Sequence, residues 1–418
     1  MALSYEGVVI LIPSDILNKI TVVAGSIGSI SNRPCEIFAQ SRVDFLSNLS
    51  RYLLLDPLTK ALPDLVTFAY WTRSANLRRI RDSYLKETRF RMGLGLTFHI
   101  CPSNVPVNLA FSLAFGLLSG NTCVLRLPSK RSTTIDILVK AIAKLLLEAD
   151  HKDVSEGLVL VRFDHDDAIN RFWMSVADGR VVWGGDETVA YMRSFPCKPR
   201  SREVAFSDRY SLCVIEPKSI LNMRESAFKK LCHNLFNDIY LMDQAACSSP
   251  QLVTWIGEST TVQRAQSRLW PEVAKIAAEK YSLQSVHAVD KFVTACREVL
   301  TDPNIKGVER HQNILYRITL GKLDTHQDTH RGQFGTIYEI ILPDLDALAP
   351  SVNTRYQSMT VHGVPPSKIK EWIILHRLSG FDRVVPIGHA LDMGIVWDGF
   401  DLVESLSRII EVQCSGGL

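Results

Sequence analysis

Apolar residues recur at steps of three and four over Phe228, Leu231, Cys232, Leu235, Ile239 and Met242. That spacing predicts an amphipathic helix. A short apolar run over 252–256, stopped by Gly257, predicts the strand that follows it. Further upstream the pattern becomes regular. Strands are predicted over 96–100, 122–127, 158–163, 181–183 and 210–216, with helices over 107–118, 133–149 and 164–172 and another from about Glu187. Thr133 and Asp136 are spaced as a capping box. The run 105–118 contains Asn108, Ser112 and Gly116 and falls short of the roughly 20 residues of a membrane span, so it reads as a buried helix. At the start, 8–12 reads as a strand stopped by Pro13, with helices over 46–55 and 76–87. At the end, 401–412 reads as a helix and 414–418 as a disordered tail.

Strands alternating with helices define an α/β fold with a parallel sheet covered on both faces. Ligands of such sheets bind beyond the carboxyl ends of the strands. The turns 102–104, 128–132 and 184–186 fall at those ends and precede helix starts, whose free N–H groups favour phosphate. This predicts a nucleotide site. Gly93-Leu94-Gly95 precedes a strand instead of following one and is not its fingerprint.

At 418 residues the chain is expected to hold two or more domains. A formal net charge of +3 gives no argument for nucleic acid or an anionic membrane surface. Nine cysteines, without a CxxC pair or regular spacing, fit reduced thiols in the cytoplasm. Residues 1–6 lack a basic region followed by an apolar run, so no secretory signal is expected.

Cys247 is the candidate nucleophile. It lies in the connection Asp243-Gln244-Ala245-Ala246-Cys247-Ser248-Ser249-Pro250-Gln251, with small neighbours on both sides that leave its sulfur approachable. Local context alone also permits a structural cysteine. His326, His330, Asp324 and Asp328 alternate along a polar loop and read as solvated charge in preference to a metal site. His99 and His389 read as core or turn residues, and no Gly-x-Ser-x-Gly elbow occurs.

Several stretches together carry a family resemblance. Gly95 through Asn104-Val105-Pro106 resembles the aldehyde dehydrogenase stretch in which a glycine precedes Pro-Trp-Asn-Phe-Pro. Gly120-Asn121, the following strand and Pro128-Ser129-Lys130 resemble that superfamily's next motif. Trp183-Gly184-Gly185-Asp186 resembles its Gly-Ser-Thr turn, Gln244 to Cys247 its nucleophile segment, and Gly332-Gln333-Phe334-Gly335 its Glu-Ile-Phe-Gly-Pro stretch. Cys-Pro-Ser-Asn-Val-Pro at 101–106, Arg-Leu-Pro-Ser-Lys at 126–130, Ala-Cys-Ser-Ser-Pro-Gln at 246–251 and Trp397-Asp398-Gly399 are closer to the LuxC-type acyl-CoA reductases of bacterial bioluminescence. The first ninety residues show no such match.

The resemblance implies an aldehyde dehydrogenase-like fold. Its parts would be N-terminal helices and a Rossmann-type dinucleotide domain over 1–208, an α/β catalytic thiol domain over 209–395, and a C-terminal helix and tail over 396–418. It implies an oxidoreductase that reduces a fatty acyl thioester to the aldehyde through an acyl group on Cys247. Asn104 and the Cys247 backbone N–H would supply the oxyanion hole; alone, Asn104 would read as holding a turn between two prolines. Ile100, Pro102, Ser103, Arg126, Ser129, Lys130, Gly184, Gly185 and Phe334 are the implied cofactor contacts. Arg126 stands where the superfamily has its ribose-binding lysine. Ser129 replaces the acidic residue of NAD-preferring members, and Lys130 and Arg131 would attract a 2′-phosphate, so NADPH is expected over NADH. The general base of the hydrolytic enzymes aligns with Ala205, or with Glu203 after a shift of two residues. The superfamily's late glutamate aligns with Gly332. The acyl donor could be acyl-CoA, an acyl carrier protein or an acyl-protein synthetase, and a homo-oligomer is implied by analogy. The alternatives are a CoA-acylating aldehyde dehydrogenase working oxidatively, and a catalytically silent acyl-binding relative.

Overall fold

In the first sheet the strands lie side by side in the order Thr21–Ala24, Leu158–Arg162, Thr122–Arg126, Leu96–Ile100, Gly179–Trp183, Arg202–Phe206. All neighbours run parallel except the antiparallel edge strand Thr21–Ala24. Numbered along the chain, the five parallel strands stand 3-2-1-4-5, the doubly wound order. The strand order therefore reverses between Leu96–Ile100 and Gly179–Trp183, and in such sheets ligands bind at the carboxyl ends beside that reversal. The computed structural model describes residues 9–28, 30–87, 89–324 and 326–413. They divide into one unit drawn from 1–207 and 400–418 and a second from 208–399.

The four central strands of the first sheet are buried on both faces, which is why they read as continuous apolar runs. One face is covered by Phe98, Val124, Val159, Trp173 and Met174 with Ile16, Ile27 and Ile30. On the other lies helix Asn108–Leu118, in which every residue from Leu109 to Leu118 is buried. The first ninety residues cover that helix: Phe68 and Trp71, on helix Pro63–Trp71, meet the rings of Phe111 and Phe115 edge-on. Helix Pro63–Trp71 was not anticipated, and helices Gln40–Leu55 and Ser74–Glu87 begin ahead of their expected starts. The strand expected over 8–12 is Val9–Ile10, paired with Ile30–Ser31; residue 8 lies outside the described residues.

Three expectations are corrected. The strand over 210–216, Tyr210–Ile215, opens the second sheet, and the fifth parallel strand of the first sheet is Arg202–Phe206. This edge strand carries Arg202 and Glu203 and lacks a continuous apolar run. The cap of helix Thr133–Leu145 is Ser132, whose Oγ accepts from the Ile135 N–H at 3.2 Å, so Thr133 and Asp136 form no box. The final helix is only Leu402–Ser405, followed by strand Ser407–Ile409 paired antiparallel with Arg91–Gly93. The tail expected over 414–418 lies outside the described residues.

Buried Asn121 holds this closing segment. Its Oδ1 accepts from the N–H groups of Leu94 (2.7 Å) and Gly95 (3.2 Å), and its Nδ2 donates to the Leu406 carbonyl (2.8 Å). Arg91, buried beside it, donates to Ser407 and to the Glu404 carbonyl. Gly120 has φ +81°, and a Cβ there would stand 2.2 Å from the Cys35 carbonyl oxygen, so the Gly-Asn pair is required by backbone geometry.

The second sheet runs Ile305–His311, Leu315–Leu320, Thr336–Leu342, Leu252–Ile256, Tyr210–Ile215, Tyr356–His362, Arg383–Pro386. Only the outermost pair, Ile305–His311 with Leu315–Leu320, is antiparallel. Cys213 and Ile215 face helices Glu225–Tyr240 and Ser259–Lys280, while Leu212 and Val214 face Trp372 and Phe381. Glu339 is buried within this sheet and accepts from Trp255, Gln266, Trp270 and Arg317 at 2.7–3.1 Å, so its charge is fully engaged. Among the described residues no helix is long and apolar enough to cross a membrane, and the eight described cysteines are unpaired.

Asn121→Ala strands two buried N–H groups and a carbonyl, at about 1–3 kcal/mol for each unmade bond. We expect a lower denaturation midpoint and faster proteolysis within 400–413. Wild-type protection of that segment in the variant would refute the assignment.

Candidate active site

Helix Glu225–Tyr240 buries Phe228, Leu231, Cys232, Leu235, Phe236 and Ile239 and delivers the chain to the Cys247 loop. Asp243 and Gln244 follow in the left-handed region, with φ of 54° and 62°. Each such residue costs of order 1–3 kcal/mol and persists only where its surroundings hold it. Gln244 is held on every side. Its Oε1 accepts from the N–H groups of Gly335 (3.1 Å) and Thr336 (3.2 Å), and its Nε2 donates to the carbonyls of Thr336 (2.9 Å) and Pro250 (3.0 Å). Gln251 repeats the device: its Oε1 accepts from Gly332 N–H at 2.7 Å and its Nε2 donates to the Gln244 carbonyl at 3.2 Å. The two stretches that resembled the nucleophile segment and the Glu-Ile-Phe-Gly-Pro motif are thus one bonded unit.

A Cβ on Gly332 would stand 1.8 Å from the Thr336 carbonyl oxygen, so the superfamily's late glutamate has no room there. Phe334, at φ 53°, donates its N–H to the Asp243 carbonyl at 3.1 Å and stacks on His287 with ring centroids 4.0 Å apart. Lys291 Nζ, buried beneath it, donates to the carbonyls of Phe334 (2.7 Å), Asn313 (2.9 Å) and Ile314 (3.0 Å). Burial brings that ammonium down to about 7.

Cys247 is partly exposed, and its carbonyl accepts from Ser211 Oγ at 2.6 Å. Burial pushes the thiol up to about 11; the Asp398 carboxylate adds to the rise, while the Gln357 amide and the Arg209 guanidinium oppose it. Asp398, 5% exposed, is itself engaged: Arg209 Nη1 lies at 3.1 Å and Gln357 Nε2 donates to it at 2.8 Å. Arg209 also bonds Asp382. Gln357 Oε1 and Ser249 Oγ are buried without a partner among the described residues. Gln357, Asp398 and Arg209 were not singled out as site residues from the sequence. The Trp397-Asp398-Gly399 wording was the one signal for Asp398, and Gln357 had none.

The remaining candidates stand in the first unit. Ile100 and Pro102 are buried at the end of strand Leu96–Ile100, and Ser103 and Asn104 are exposed in the turn before helix Asn108–Leu118. Ile100 pairs with Arg126 on one side and Val182 on the other. The turns bearing Ser129 and Lys130 and bearing Gly184 and Gly185 therefore rise from strands adjoining it. Ser129, Lys130 and Gly185 are exposed, and Gly184 partly so. The Arg126 guanidinium lies 4.8 Å over the Phe163 ring, with Nε unpartnered. Gly185 starts helix Asp186–Arg193 with no side-chain cap, and nothing lies within 4 Å of where its Cβ would be.

His99 is a core residue, bonded to Ser112 at 2.8 Å and Thr97 at 2.9 Å, and burial brings it down to about 3. Asp328 pairs with Arg355 and His330 faces Asp302. Glu203 is held by Arg193 at 2.7 Å and Arg180 at 3.0 Å, and Ala205 lies on the same strand.

Comparison with known proteins follows the same lines. The aldehyde dehydrogenase ALDH21 of Physcomitrella patens superposes with a TM-score of 0.60 at 11% identity, covering 89% of this chain and 85% of that one. Glyceraldehyde-3-phosphate dehydrogenase GapN of Methanocaldococcus jannaschii, complexed with NADP, gives 0.58 at 13% identity, covering 88% of each. The fold is that of the aldehyde dehydrogenases. A long-chain acyl-protein thioester reductase of Aliivibrio fischeri is 29% identical over 168 residues, 40% of this chain and 33% of that protein. Its counterpart in Photorhabdus luminescens is 26% identical over 188 residues, 43% and 36% respectively. The matched part thus spans about a third of the length of these relatives. The Acyl-CoA reductase (LuxC) family profile matches residues 70–409, and the chain belongs to that family.

Proposed function

We propose that this protein reduces a long-chain acyl thioester to its aldehyde with NADPH, Cys247 carrying the acyl group. The observation that supports this most directly is the partly exposed residue Cys247 on a loop held by Gln244 and Gln251, within a chain of the LuxC family. Relatives named long-chain acyl-protein thioester reductases favour a protein-bound acyl donor, with acyl-CoA as the second candidate.

The residues at the strand-order reversal fit a dinucleotide. Gly185 leaves open space at an uncapped helix start, and Ser129, Lys130 and Arg131 are exposed ahead of helix Thr133–Leu145. Ile100, Pro102, Ser103, Arg126, Ser129, Lys130, Gly184 and Gly185 would hold the cofactor, with Phe334 as a packing contact. Lys130 and Arg131 offer the charge that a 2′-phosphate requires. A reduced nicotinamide, when bound, supplies the hydride.

The chain's own groups do the rest. With a pKa near 11, roughly one thiol in 10⁴ is ionised at pH 7, so Cys247 rests protonated. Arg209 and Gln357 favour the thiolate as it forms and attacks the thioester carbon; the bond from that carbon to the donor's sulfur breaks, and the donor leaves as its thiol with the proton that Cys247 gave up. Asn104 Nδ2 and the Cys247 N–H are the proposed donors to the carbonyl oxygen. After reduction Cys247 leaves as thiolate and frees the aldehyde. Hydrolysis to the acid needs a carboxylate free to activate water. Asp398 is paired through Oδ1 with Arg209 and Gln357, Glu203 is held by two arginines, and Ala205 has no ionisable group.

Labelled acyl-CoA should leave label on the wild type and none on Cys247→Ala, whose NADPH-dependent aldehyde formation falls at least ~10³-fold. Label retained by the variant would overturn the role of Cys247. Faster turnover of NADP⁺ with aldehyde and CoA than of the reverse pair would favour the oxidative direction. Iodoacetamide should modify Cys247 ever faster as pH rises from 7 towards 10 without reaching a plateau. Asp398→Asn removes a charge that raises the thiol pKa and should speed that labelling at pH 8; slower labelling contradicts the electrostatic assignment. Lys130→Glu should raise the KM for NADPH at least ~10-fold while leaving that for NADH within about threefold, since a charge-assisted bond contributes ~1.5–3 kcal/mol. An unchanged ratio of the two KM values would defeat the phosphate assignment.

A further inference from the structure

Helix Ser285–Thr301 carries a buried cation beneath the Phe334 turn. Lys291 is 3% exposed, and its ammonium spends all three protons on backbone carbonyls, those of Phe334 (2.7 Å), Asn313 (2.9 Å) and Ile314 (3.0 Å). It lies 4.7 Å over the Tyr316 ring, and among the described residues no carboxylate offsets its charge. Burying an unpaired cation is costly, and a methionine would fill a similar space without that cost. Packing alone therefore does not account for Lys291. Its three carbonyls do: Asn313 and Ile314 lead into strand Leu315–Leu320, Phe334 leads into strand Thr336–Leu342, and Lys291 ties these neighbouring starts together. One helical turn earlier His287 lies on the same face, and its ring stacks on Phe334 with centroids 4.0 Å apart and an interplanar angle of 8°. The helix thus holds Phe334 by its carbonyl and by one face of its ring. Phe334 sits at φ 53°, a conformation that persists only where its surroundings hold it. Its own N–H donates to the Asp243 carbonyl at 3.1 Å, and the next N–H, of Gly335, donates to Gln244 Oε1 at 3.1 Å. A continuous line of bonds and stacking therefore runs from Lys291 and His287, through the Phe334 turn, to the strained pair that leads into Cys247.

We propose that Lys291 and His287 are positioning residues, which fix the Phe334 ring as a cofactor contact and hold the turn before Cys247 in place with it; towards the cofactor this rests on the proposed role of Phe334 as its packing contact. Both act through Phe334 and neither takes part in the acyl or hydride step. His287 covers one face of the ring, and Phe334, partly exposed, offers the remainder to a ligand. Without the ammonium the Phe334 carbonyl loses a charged donor, and the left-handed turn is free to relax and carry the ring away. Ile314 is less affected, because its carbonyl also accepts from the Tyr240 hydroxyl at 3.0 Å. An arginine has donors for the same carbonyls, whereas a methionine has none.

The test uses the full chain carrying Lys291→Met, Lys291→Arg or His287→Ala, with circular dichroism to confirm folding. Two readouts need no turnover. Amide hydrogen exchange, read by mass spectrometry, should quicken at least ~10-fold in peptides covering 243–247 and 332–336 of Lys291→Met, while strand Leu252–Ile256 keeps its wild-type protection. NADPH, titrated by its fluorescence, should bind at least ~10-fold more weakly to Lys291→Met and about threefold more weakly to His287→Ala. Lys291→Arg should stay within about threefold of wild type in both measurements. In turnover, the KM of Lys291→Met for NADPH should rise more than its kcat falls. A folded Lys291→Met with wild-type exchange over 332–336 overturns the proposal. Should Lys291→Met not fold, His287→Ala decides, since His287 is partly exposed: wild-type exchange and affinity there overturn it. Protection lost throughout the second unit, and equally in Lys291→Arg, marks a purely structural role and also overturns it. A wild type that does not bind NADPH overturns the role of Phe334 towards the cofactor, and the exchange measurement then still decides whether Lys291 and His287 hold the turn before Cys247.

Discussion

The second unit depends on how one amide side chain is satisfied. Gln244 sits in a backbone conformation that non-glycine residues avoid, beside Asp243 in the same state, immediately before the candidate nucleophile. Its four side-chain bonds join the Cys247 loop to the start of strand Thr336–Leu342. A glutamate has the same reach but, ionised, lacks the donors for two carbonyls. An alanine leaves four backbone groups unmade. Only an amide of this length meets two N–H groups and two carbonyls together, and these bonds hold the strained turn that leads into Cys247.

The first unit solves its closure differently. Five parallel strands in doubly wound order place their carboxyl ends together, ahead of the starts of helices Asn108–Leu118, Thr133–Leu145 and Asp186–Arg193. At the opposite ends of the strands the backbone must be sealed. Asn121 and Arg91 do this with the chain's last described segment, bonding Leu406, Ser407 and Glu404 against Leu94 and Gly95. The Gly-Asn motif therefore stabilises the fold at a distance from the loops that would hold a nucleotide. A motif shared with a family of enzymes is not thereby part of the catalytic chemistry.

Legibility followed the range of the interactions. Strands buried on both faces read correctly because their environment demands apolar residues at every position. Helix Glu225–Tyr240 read correctly because one face is core and the other is not. Strand Arg202–Phe206 was missed because an edge position tolerates Arg202 and Glu203, whose partners Arg180 and Arg193 lie elsewhere in the chain. The tail read as a helix because its pairing with Arg91–Gly93 leaves no local pattern. At the site, Cys247 was visible from its small neighbours and from family wording. Gln357 and Arg209 were not, because they act on the sulfur through space from strands and loops distant in sequence.

On the proposed reading, the same distant groups explain how a thiol can sit in a carboxylate's field and still serve a thioester. An isolated Asp398 would hold the sulfur protonated and offer itself to water. Bound through Oδ1 to Arg209 and Gln357, it has its charge partly balanced, yet it still raises the thiol. The guanidinium and amide are then the groups that respond as charge develops on sulfur, while burial sets the high starting point. A thiol so placed is slow towards adventitious electrophiles in bulk water. On the proposed reading, a bound acyl group that excludes water strengthens the pull of the fixed guanidinium on the developing thiolate while adding to its desolvation. Arg209 and Gln357 must then offset both burial and Asp398 for attack to proceed.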